Sequence, residues 1–128
     1  MTVEEIIKNQ MERCSNVSNK VFSLTSIKDE RPPYVLYVTE RSDEVDDLDG
    51  GTGLLSEDFS VYIVARSVPE LVNLSKVIRG LLISLRETQT EDIYIENVTV
   101  KQTAPDDRAR ETTFCSRVYD LHIDYQEV

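Results

Sequence analysis

Apolar residues recur along this chain with two different periods, and the switches between the periods divide it into helices and strands. Val3, Ile6, Ile7 and Met11, with Cys14 beyond, fall on one side of a helix of 3.6 residues per turn. Thr2 and Glu5 stand at capping-box spacing ahead of that stripe, so a short N-terminal helix is expected. Ser15 to Asn19 interrupts it, and Val21-Phe22-Ser23-Leu24 suits a brief extended piece. Pro32 and Pro33 then exclude helix just before Tyr34-Val35-Leu36-Tyr37-Val38-Thr39, a run of strand-favouring residues.

Alternation returns after an acidic, glycine-rich stretch. Phe59, Val61, Ile63 and Ala65 share one face of a strand, with Ser60, Tyr62, Val64 and Arg66 on the other. Both faces are partly apolar, which predicts a strand covered by a helix on one side and by something else on the other. Ser67-Val68-Pro69-Glu70 is a second capping box, with proline where its missing amide costs little. Leu71, Leu74, Ile78, Leu81 and Leu85 predict a central helix through Arg86, weakened slightly by Gly80. Ile93 to Gln102 is strand-like, but its apolar parity changes between Ile95 and Val98, as a bulge would require. Cys115, Tyr119, Leu121, Ile123 and Tyr125 finally oppose Val118, Asp120, His122 and Asp124, the mark of a half-buried antiparallel strand. The order helix-strand-strand-helix-strand-strand gives an α+β fold over residues 1–128: a mainly antiparallel sheet of about four strands packed with two helices.

Composition adds limits on function. A chain of 128 residues, 40% of them hydrophobic, holds enough apolar matter for a true core. Its 24 acidic residues against 14 Lys and Arg leave a formal charge of -10, which opposes binding to nucleic acid or an anionic membrane. MTVEEII lacks the basic start and apolar core of a signal peptide, and no apolar run is long enough to span a bilayer, so a cytoplasmic site of synthesis and residence is expected. Cys14 and Cys115 stand far apart without metal-type spacing, which favours two reduced, packed thiols over a bridge.

The stretch Val45-Asp46-Asp47-Leu48-Asp49-Gly50-Gly51-Thr52-Gly53 is the first place to look for chemistry. With Gly50 at position six of an EF-hand loop, Val45 falls at position one and Ser56 at position twelve, so the calcium register fails twice. A phosphate cradle fares no better, because no Lys or Arg lies between Arg41 and Arg66 and the acids repel an anion. A solvated turn between two strands is the simpler expectation. His122 is the only histidine, flanked at strand spacing by Asp120 and Asp124. That D-x-H-x-D pattern offers a weak metal or small-molecule site, set against a wet strand face on which polar residues alternate outward. Ser116 lacks a nucleophile elbow and Cys115 faces away from His122, so no catalytic site is assigned and no enzyme is expected. The six tyrosines all fall in predicted strands, where sheet packing accounts for them.

Taken together, Pro33-Tyr34-Val35-Leu36-Tyr37, LDGGTGLL, FSVYIVARS, VPELVNLSKVIRGLLISL and SRVYDLHIDYQ resemble the tail-completion or tail-terminator proteins of long-tailed bacteriophages, over roughly Val21 to Val128. The resemblance implies a structural virion protein without cofactors, which forms a ring, commonly a hexamer, capping the tail tube and joining it to the head–tail connector. It implies a place in the virion tail, with the host cytoplasm as the site before assembly, and subunits able to stay monomeric until a tail end recruits them. The loops Asp43 to Leu55 and Thr103 to Thr113 are then the expected contacts with tube or connector, through Asp46, Asp47, Asp49, Gly50, Gly51, Thr52, Asp106, Asp107, Arg108 and Arg110. Negative charge lining such a ring would let DNA pass without sticking.

Overall fold

The computed structural model describes residues 2–24, 31–47, 50–107 and 114–127, with backbone alone over 41–47 and 50–53. Helix α1 (Val3–Met11) begins where expected, with the Thr2 hydroxyl accepting from the Glu5 amide at 3.2 Å. Val3, Ile6, Ile7 and Met11 are its buried stripe. A single 3₁₀ turn at Ser15–Val17 leads into strand β1 (Val21–Ser23). Strands β2 (Tyr34–Asp47) and β3 (Gly50–Ala65) follow, then helix α2 (Val68–Ile83), strand β4 (Ile93–Lys101) and strand β5 (Cys115–Glu127).

The sheet has five strands in the order β1-β2-β3-β5-β4. The expectation of about four mainly antiparallel strands is corrected here: the brief piece at Val21–Ser23 is a true strand and pairs parallel to β2, which makes the sheet mixed. Every other neighbouring pair is antiparallel. The parity break in β4 is a bulge between Ile95 and Asn97. It moves Val98 and Val100 onto the face already used by Ile93 and Ile95, so all four are buried.

Both helices serve one face of this sheet. Helix α2 lies against β3, β4 and β5, while α1 lies against α2 and β1. Phe59, Val61, Ile63 and Ala65 of β3 and Tyr119, Leu121, Ile123 and Tyr125 of β5 form the floor of the core, and Leu71, Leu74, Ile78 and Leu82 of α2 form its roof. Burial of each large aliphatic or aromatic side chain in this layer contributes about 1.5–3 kcal/mol. Gln10 fastens α1 to the end of α2, donating to the Leu81 carbonyl and the Ser84 hydroxyl at 2.8 Å each.

The phase of α2 departs from expectation in its last turn. Leu82 is fully buried and Leu81 only partly, and the helix ends at Ile83 with Ser84 as its C-cap. Leu85 still reaches the core, from the turn that follows. At the other end the Ser67 hydroxyl accepts from the Glu70 amide at 3.3 Å. The Glu70 carboxylate accepts from the Arg66 amide at 2.9 Å and pairs with its guanidinium at 2.8 Å, one residue earlier than a capping box places it.

Candidate functional site

The long loop expected from Asp43 to Leu55 is corrected by the structure: it is strand over most of its length. Strand β2 runs on to Asp47 and β3 begins at Gly50, with Val45 opposite Leu54, Asp46 opposite Gly51 and Asp47 opposite Gly50. Register shifts after Thr39 and after Val45 let this hairpin bend while its backbone stays paired. Asp46, Asp47, Gly50, Gly51 and Thr52 therefore belong to the far end of a β-hairpin, while Asp49 lies outside the described residues. Strand β1 covers β2 only from Val35 to Tyr37. Beyond that point β2 has no outer neighbour among the described residues, so acids stand along a sheet edge, where charge discourages stray strand pairing.

The second expected contact segment is also partly built into the fold. Asp106 receives the Arg117 guanidinium in a two-pronged pair at 2.7 and 2.9 Å, with side-chain exposures of 9% and 17%. Gln102 donates to the same carboxylate at 2.8 Å, and Arg117 also donates to the Tyr119 hydroxyl at 3.3 Å. The Asp106 carboxylate holds the Arg117 pKa above its ordinary value. Asp106 thus anchors Arg117 within the fold. Asp107 follows it in an isolated bridge with Ser116, and Arg108 and Arg110 lie outside the described residues.

Opposite the helices the sheet presents a second face in two halves. Phe22, Leu36, Tyr62 and Val118 pair in a row across four strands and are each only half-buried. Further along, the same face turns polar around a shallow cavity of about 430 Å³, lined by Glu40, Asp58, Thr99, Lys101, Asp120 and His122 among others. Here β3 supplies a residue that sequence reasoning missed: Asp58 lies directly opposite His122 in the β3–β5 register. His122 Nδ1 contacts Asp58 Oδ1 at 2.5 Å, and Nε2 contacts Asp124 Oδ1 at 2.9 Å. Ser56 donates to Asp124 Oδ1 at 2.8 Å. Asp120, expected beside His122, instead accepts from Thr103 at 3.0 Å.

Two carboxylates on two ring nitrogens favour the doubly protonated imidazolium. The Asp58 hydrogen bond raises the His122 pKa above 6.5, partial burial opposes it, and the Asp124 charge adds to the rise. Among the described residues no group of three or more His, Cys, Asp or Glu could hold a metal ion. Cys14 is buried, Cys115 is half-buried, and both are free thiols.

The signal for Asp58 was present only in part. Its parity on β3 placed it on the same face as His122, but nothing local gave the pairing of the two strands.

Helix α2 carries the remaining exposed feature. Val72 and Val77 are 43% and 47% exposed, and Lys76 and Arg79 stand in solvent between and beside them. No helix is long and apolar enough to cross a membrane.

No family model and no curated protein matches the chain. Among solved structures it is similar to a chain from one described as the virion of a native gene transfer agent (GTA) particle. The TM-score is 0.66, with 12% sequence identity over 94% of this chain and 91% of that one. At that identity the two share a fold.

Proposed function

We propose that this protein is a structural component of a phage-like virion, which caps or completes the tail tube and joins it to the head–tail connector as a closed ring, a hexamer by preference. The observation that carries this reading is the two-way coverage of the match to a chain of a GTA virion particle, 94% and 91% at a TM-score of 0.66. The ordered series of segments that resembles tail terminators points the same way. Function here resides in the docking of shaped surfaces, without a reaction centre. The half-buried apolar row Phe22–Leu36–Tyr62–Val118 and the acidic end of the β2–β3 hairpin are surfaces suited to neighbours in an assembly.

The reading is tested with particles made in the absence of the protein. Electron microscopy should find heads and tails apart and tail tubes of uncontrolled length. Normally joined particles would refute the role. Removal of Asp46 to Thr52 should leave a folded protein that no longer joins heads to tails, and normal infectious particles from that variant would exclude the hairpin from the contact.

A further inference from the structure

The outward face of α2 is basic in a chain whose formal net charge is -10. Lys76 and Arg79 are exposed and form no ion pair among the described residues. At 100° per residue, Val72 and Val77 flank a central strip that contains Lys76 and Gly80. Gly80 is exposed, and a Cβ added there would meet nothing within 4 Å. Glycine is the poorest helix former after proline, so neither the helix nor the surrounding fold asks for it. A second backbone passing close over the helix would ask for it.

Across the molecule, the distal part of β2 carries the complementary charge. Asp43, Glu44, Asp46 and Asp47 follow one another on a stretch of β2 that has no outer neighbour among the described residues, in a chain of net charge -10. Acids on an edge discourage strand-to-strand addition but attract cations. We propose that the distal β2–β3 hairpin of one copy docks across α2 of the next. Its acids meet Lys76 and Arg79, its backbone passes over Gly80, and Val72 and Val77 close the contact on either side. The two patches are different surfaces, so the contact is head-to-tail and repeats into a ring when the rotation closes. This inference rests on the ring reading above and specifies which surfaces close the ring.

The experiment follows the amide NMR spectrum of the full chain from micromolar to millimolar concentration at low salt. Concentration-dependent shifts are expected along Val72 to Ile83 and along Asp43 to Asp47, fading as salt rises. The K76E/R79E and D46K/D47K variants should each weaken self-association about tenfold or more, and mixing the two should restore it. G80A should raise Tm by roughly 3–4 °C, because alanine favours helix, yet still weaken self-association. That pair of opposite effects is one a merely structural glycine would not give. Self-association unchanged in K76E/R79E overturns the α2 contact and leaves a ring built on another surface. A wild-type protein without concentration dependence at millimolar overturns it as well. The ring reading fails separately, if quantitative mass analysis finds a single copy per tail.

Discussion

Replacing Asp106 by alanine separates its role in the fold from a role in contacts with partners. The substitution removes both carboxylate acceptors of the Arg117 guanidinium and one acceptor of Gln102, leaving Arg117 its 3.3 Å hydrogen bond to the Tyr119 hydroxyl. Exposed ion pairs contribute about 0–1 kcal/mol, and breaking a fully buried pair costs about 3–5 kcal/mol. With the two side chains 9% and 17% exposed, the expected loss lies between these, about 2–3 kcal/mol. For a chain of 128 residues that corresponds to a fall in Tm of roughly 7–11 °C. Urea unfolding followed by circular dichroism measures it directly. D106N, which keeps one acceptor and loses the charge, should cost less than D106A. In D106A/R117M no charge is left unpaired and an apolar stem fills the arginine's place, so the double variant should recover much of the loss. A D106A cost below about 0.5 kcal/mol would refute the anchor and return Asp106 to the free surface.

The imidazolium clamp gives a dependence on pH. Because the folded pKa of His122 is raised above 6.5, its contribution is present below that value and is lost as pH rises through the folded pKa, provided Asp58 and Asp124 are ionised. His122 and Asp58 are about two-fifths exposed, so the effect should stay below about 1 kcal/mol; a stability-against-pH slope that H122Q leaves unchanged would contradict the clamp. S67A removes the hydroxyl that caps α2 and should cost about 1 kcal/mol in urea unfolding, with no cost expected only if the 3.3 Å bond is absent in solution. L82A should cost about 2–5 kcal/mol and L81A distinctly less, and the reverse ranking would show that α2 is phased as periodicity alone suggested.

Local order was legible in the chain itself. Thr2 and Ser67 start helices because a hydroxyl satisfies an amide three residues on, and the polar–apolar alternation of β3 and β5 assigns their faces whatever lies beside them. The bulge near Glu96 was visible as a slip in that alternation. The phase of α2 in its last turn was not, since Leu81, Leu82 and Leu85 offer the helix two apolar choices and only the sheet beneath decides between them. Nor was the strand character of Asp43 to Asp47, where acids and nearby glycines signal a turn and the cross-strand partner supplies hydrogen bonds that no local rule counts.

Outside the distal hairpin and the last turn of α2, the amino-acid order by itself therefore determined where helices and strands form and which side of each is apolar, because those depend on neighbours within a few positions. Tertiary structure alone decided that Asp58 meets His122 across 64 residues, that Asp106 anchors Arg117, and that Val21–Ser23 joins the sheet in parallel. Such pairings depend on the register between distant strands, which the packing of the whole core fixes at once.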